Sequence, residues 1–184
     1  MKTLTIKSLI EFRGKSNKSK QGFVNNLKQD IAKRDSDGGG DYWISCLSAI
    51  SNVFKTDRLQ LINERINLLE SKLESTVFKR TKTMYERNIN ILSNYQVYDF
   101  KLLKPEVKLN FIKKHKTDFI INVNGFSISV TPHHVFTFGN SEKEEIGAIW
   151  FIAKLGGFRS TELGMFSDIL YRYLKNVYSN DYDI

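Results

Sequence analysis

The chain has one cysteine, Cys46, and two prolines, Pro105 and Pro132. A lone thiol excludes an intrachain disulfide and a thiolate cluster for zinc. From Asp41 to Lys104 neither glycine nor proline occurs, so no residue in that stretch forces a helix to stop. Long apolar runs are missing too. The longest, Ile146 to Ala153, stops at Lys154, far short of the roughly 20 residues of a membrane span. The segment Met1 to Lys7 holds no continuous apolar core of the secretory kind. A cytoplasmic protein with no membrane partner is the expectation.

What the chain has is charge, unevenly placed. Its 184 residues carry a net charge of +8, and the first 116 hold 23 of the 28 Lys and Arg but only 12 of the 20 Asp and Glu. The remainder is slightly acidic. Such an imbalance points to an anionic partner, and nucleic acid is the natural one, because Lys and Arg that neutralise phosphates release counterions. Lysines on solvated faces of an AT-rich coding sequence are the plain alternative. With 41% hydrophobic residues and 12% aromatic ones, the chain has enough apolar surface to fold.

Helical periodicity dominates the first half. Phe23, Leu27 and Ile31 recur at four-residue spacing; Asp41 is placed to cap a helix whose buried face is Trp43, Leu47, Ile50 and Phe54. Leu59, Ile62, Ile66, Leu69 and Leu73 step by three and four, and a second pattern resumes at Tyr85, Ile89, Leu92 and Tyr95. One long helix, broken or bent near residue 80, is expected.

After Pro105 the period becomes two. Val107, Leu109 and Phe111 alternate with polar residues, and strands 119–123 and 126–130 flank Asn124-Gly125, the dipeptide best suited to a two-residue hairpin turn. A strand over about Ile146–Leu155 is apolar on both faces and so central. A last helix, opened by Ser160, buries Leu163, Phe166, Ile169, Leu170, Tyr173, Leu174 and Val177. The fold class expected is α+β: a helical N-terminal half with one long helix, an antiparallel sheet of about four strands including the 119–130 hairpin, and a covering C-terminal helix. Residues 1–104 form the basic, mainly helical region and 105–184 the sheet and last helix, within one integrated body.

Three basic clusters are the candidate nucleic-acid contacts. The first is Arg13, Lys15, Lys18 and Lys20, read as a flexible polar stretch between Phe12 and Phe23; the second is Lys79, Arg80, Lys82 and Arg87; the third is Lys113, Lys114 and Lys116. Each also reads as an ordinary solvated face. Written in heptads, Arg58, Arg65, Lys72 and Lys79 form a basic edge beside the apolar seam. A homodimer through Leu59, Ile62, Ile66, Leu69 and Leu73 is one use of that seam; packing within the chain is the weightier one, since the repeat is shorter than a coiled coil needs.

The remaining motifs are thinner. Asp35 to Gly40 lacks the ligands of a calcium loop and reads as a plain loop. Gly156-Gly157-Phe158-Arg159-Ser160-Thr161 places Arg159, Ser160 and Thr161 where a helix start holds an anion, or where Ser160 simply caps the helix. In an extended segment His133 and His134 point to opposite faces and cannot share a metal. Either, with Asp118, is a candidate for hydrolysis, but the carboxylate and lysine of a metal-dependent nuclease are missing from the next strand.

No cofactor and no metal site are expected. The reading favoured is a non-enzymatic nucleic-acid-binding or adaptor subunit of a larger cytosolic prokaryotic assembly. Its alternatives are a scaffolding module assembling through the 59–73 seam, and a hydrolase or nuclease using His133 or His134 with Asp118.

Overall fold

A computed structural model describes residues 3–28, 42–113, 120–123, 125–140 and 143–184. The α+β class is as the periodicities indicate. Among the described residues the chain runs β1 (Leu4–Thr5), α1 (Ile6–Gly14), α2 (Asn17–Lys28), α3 (Ile44–Thr56), α4 (Gln60–Ser75) and α5 (Lys79–Tyr95). A 3₁₀ turn at Phe100–Leu103 leads into β2 (Asn110–Phe111), β3 (Ile120–Val123), β4 (Phe126–Ser129), β5 (His134–Asn140), β6 (Lys143–Ile149) and α6 (Ser160–Tyr178).

The strands divide between two three-stranded sheets. One is ordered β2-β5-β6 and wholly antiparallel; the other is β1-β4-β3, in which β1 runs parallel to β4 with Leu4 opposite Ile128. The β3–β4 hairpin pairs Val123 with Phe126 across a two-residue loop, and Gly125 takes the positive φ of 79° that such a turn requires. Asn124 and Phe119 lie outside the described residues.

The β5–β6 pair is the middle layer, and its alternation sorts side chains into two cores. Val135, Ile146, Ala148, Trp150 and Ile152 face one way, towards α1, α6 and the β3–β4 hairpin. Phe136, Ile149, Phe151 and Ala153 face the other, towards α3, α4 and α5. That explains a run apolar on both faces, although pairing ends at Ile149 rather than near Leu155. Opposite Phe136 stands Gly147, where a Cβ would come within 2.7 Å of the Phe136 ring, so the ring needs a glycine across the ladder.

The helix expected to break or bend near residue 80 does break there, into α4 and α5. The chain reverses at Thr76–Phe78 and α5 folds back on α4, Gln96 Nε2 donating to Asn63 Oδ1 at 2.8 Å. Ile62, Ile66 and Leu69 are buried against α3 and α5. The apolar seam proposed for a homodimer is therefore occupied within the chain, and only Leu59 at its start is exposed. The heptad edge is cut as well, since Lys79 lies past the reversal.

Helix α3 starts at Ile44, after the candidate cap Asp41, which is outside the described residues. Its N-cap Trp43 makes no side-chain capping bond; instead Asn88 on α5, 1% exposed, accepts from the Cys46 amide at 3.0 Å. Asn88 Nδ2 donates to the Tyr42 carbonyl at 2.9 Å and to Met84 O at 2.8 Å. A side chain from another helix thus satisfies an amide that the local sequence leaves open. Helix α6 buries Phe166, Ile169, Tyr173 and Leu174 as expected, whereas Leu163 is 44% exposed. Among the described residues no helix is long and apolar enough to cross a membrane.

Candidate functional site

The two histidines lie on different surroundings and both bond within the fold. His134 Nε2 is 2.8 Å from Ser51 Oγ and 2.9 Å from the Ser51 carbonyl, with its ring stacked on Phe54. His133 Nδ1 accepts from the Phe151 amide at 3.2 Å, which in the neutral ring leaves the proton on Nε2. Asp118 lies outside the described residues. Among the described residues no group of three His, Cys, Asp or Glu side chains is placed to hold a metal ion.

The first basic cluster is a helical elbow rather than a loop. Helix α1 runs through Arg13 to Gly14 and α2 begins at Asn17. Phe12 and Phe23 pack on each other across the elbow at 5.3 Å between centroids, with the Lys20 ammonium 5.7 Å from the Phe12 ring. Because α1 lies on α6, the elbow arrives beside the start of α6. Arg13, Lys15, Lys154, Arg159 and Thr161 line one cleft of about 540 Å³, with Glu11 and Glu162 as its acidic residues. Residues some 140 positions apart in sequence meet there.

Glu162 explains how α6 starts. Its carboxylate accepts from the Arg159 amide at 2.9 Å and from Lys154 Nζ at 3.0 and 3.1 Å. Those bonds, the amide's first and the lysine's second, hold its carboxyl below the ordinary value of 4.5. The cap is thus made by Arg159 and Glu162, and not by Ser160. A carboxylate already sits at the helix start, where an anion is favoured. Gly156 and Gly157 bring the chain into this position with φ of 79° and 75°.

The other candidates stand elsewhere. Lys18 is exposed on α2. Lys79, Arg80 and Lys82 are exposed on the first turn of α5, next to the exposed Val77 and Phe78 of the reversal. Arg87 instead packs on Tyr42, donating to its hydroxyl at 3.1 Å. Lys113 follows β2 at the edge of the other sheet, and Lys114 and Lys116 lie outside the described residues. The structure therefore joins Arg13 and Lys15 of the first cluster to Arg159 and Thr161, and it places the second cluster on a different layer. Lys154 was missed in the sequence, although a cation closing an apolar strand just before two glycines was its signal.

A second cleft, of about 460 Å³, opens between α3 and the beginning of α1. Both tryptophans of the chain line it, together with Phe158, Phe166, Ser48 and Asn52. Trp150 meets Phe166 edge-on at 5.3 Å, Phe166 meets Phe158 at 5.4 Å, and the Lys154 ammonium stands 5.4 Å from the Phe158 ring.

The fold and these clefts define an α+β protein whose middle sheet is covered by helices on one face and by α1, α6 and a small second sheet on the other. Compared with protein-family models, curated proteins and solved structures, the chain matches none.

Proposed function

We propose that this protein binds nucleic acid without acting on it chemically, and does so as a subunit of a larger assembly. One observation carries the reading: Arg13, Lys15, Lys154 and Arg159 converge on a single cleft, where one of the two carboxylates is already bonded to Lys154 and to a helix amide. Four cations set against two carboxylates leave a positive excess suited to phosphates, and such a cleft binds with little regard to sequence. The hydrolase alternative has less support: His134 is bonded to Ser51, and His133, which borders the second cleft, uses Nδ1 to accept from the Phe151 amide. The scaffolding alternative has lost its seam to the α3–α4–α5 core.

The test is binding of short single-stranded DNA and RNA, measured by fluorescence anisotropy over a series of salt concentrations. Affinity should fall steeply with salt, and the double substitution Arg13→Gln with Arg159→Gln should lower the slope by about two phosphate contacts. Absence of binding at low salt, or an affinity indifferent to salt, would remove the reading.

A further inference from the structure

The cation cleft and the aromatic cleft are neighbours built on the same two pieces of chain. On α1, Ile6 borders the aromatic cleft while Ile10 and Arg13 border the cationic one, and positions 6, 10 and 13 share one helical face. On the approach to α6, Ala153 and Phe158 line the aromatic cleft, and the next residues, Lys154 and Arg159, line the cationic one. The edge-to-face series Trp150, Phe166 and Phe158 ends at the Lys154 ammonium, so rings and charge are in contact rather than merely close in sequence. About 460 Å³ lies within the range of small-ligand pockets. Ser48, Ser51 and Asn52 on α3, with Lys7 and His133, set polar groups among these apolar walls.

From this we infer that the two clefts form one trough for a base-and-phosphate unit: a nucleobase enters among Trp43, Trp150 and Phe158 while its phosphates meet Arg13, Lys15 and Arg159. This rests on the nucleic-acid reading above and goes beyond it, since phosphate contacts alone require neither an aromatic wall nor an unpaired base. Aromatic faces accept any base, so the trough selects single strands over duplex without selecting a sequence. The occupant is a segment of single-stranded nucleic acid; a free nucleotide presents the same chemistry and is the other source to be separated.

The two tryptophans are the only ones in the chain and both line the aromatic cleft, so intrinsic fluorescence reports directly on its occupancy. The full-length protein would be titrated with a thymidine oligomer of about six nucleotides, with an abasic oligomer of equal length, and with thymidine monophosphate. The expected result is quenching by the thymidine oligomer and an affinity about tenfold above that of the abasic strand. Quenching by the monophosphate at similar concentrations supports the same trough with a free nucleotide as its source. Asn52→Phe, at an exposed α3 position on the rim, should fill the aromatic cleft and abolish the quenching in a protein with the same thermal transition. Equal affinities for the thymidine and abasic strands with unmoved fluorescence, or quenching retained in Asn52→Phe, overturns the inference while the cationic cleft stands. Binding of none of the three at low salt instead overturns the nucleic-acid reading itself.

Discussion

The two sides of the β5–β6 ladder are built on opposite plans. On the helical side, Phe54 is fully buried at the centre of a ring cluster, with Phe111, His134, Phe136 and Phe151 at 5.8 to 6.1 Å, and the polar side chains among them, Asn88 and His134, are hydrogen-bonded. On the side of α1 and α6, the rings of Trp150, Phe166 and Phe158 run in series to the Lys154 ammonium, the cleft of about 540 Å³ lies beside them, and the cleft of about 460 Å³ opens at the border with α3. A filled, bonded interior is what stability requires; room and unbalanced charge are what a ligand requires. Substitutions on the helical side should therefore move folding, and those around the clefts should move binding.

The largest effect is expected at Leu69, 1% exposed between α4 and its neighbours. Introducing a carboxylate by Leu69→Asp asks a charge to lie in an apolar interior, at a cost of several kcal/mol against a total stability of about 5–15 kcal/mol. Circular dichroism and size exclusion should report global unfolding. A well-folded monomer released from a wild-type dimer would show instead that the seam is an intermolecular surface and that the helical side is less closed than described.

Next is Asn88→Leu, which removes the side-chain bonds to the Cys46 amide and the Tyr42 carbonyl. A buried donor stripped of its acceptor costs about 1–3 kcal/mol, so chemical denaturation should show a loss of about 2 kcal/mol and a melting temperature lower by several degrees. Oligonucleotide affinity should not change. A loss of affinity equal to that of the cleft substitutions would break the division between the two sides.

The same contrast marks how far the sequence could be read. The buried face Trp43, Ile50 and Phe54 and the Asn-Gly hairpin were legible because both signals are local: one is a spacing and the other is a φ requirement. The reversal at Thr76–Phe78 was not, since no glycine or proline marks it and the apolar stripes of α4 and α5 read as one interrupted helix. Asn88 was equally silent, because the partners it joins across helices, Tyr42 and Cys46, lie more than 40 residues away. For the candidate site, Arg13, Lys15, Arg159 and Thr161 were each visible as separate basic or capping residues. Their meeting depends on α1 packing over α6, a tertiary fact that composition cannot carry. Lys154 went unnoticed because it only seemed to end an apolar run.

The smallest stability effect, and the sharpest test of the division, is at Glu162. Its carboxyl is held below 4.5, first by the Arg159 amide and then by Lys154. A carboxyl with a depressed folded value contributes stability that is present above its unfolded value and is lost as pH falls through the folded one. Glu162→Gln should therefore melt slightly below the wild type at neutral pH, and the difference should close as the pH drops below 4.5. In the cleft the sign reverses. The Glu162 carboxylate occupies the Lys154 ammonium and the start of α6, the position an incoming phosphate would take. Its neutralisation leaves Lys154 available and removes a repulsive charge, so the same variant should bind oligonucleotides more tightly and with a steeper salt dependence. A single substitution that lowers the melting temperature and raises affinity separates the two roles of the residue. A parallel fall in both would mean that Glu162 shapes the cleft rather than competes for it.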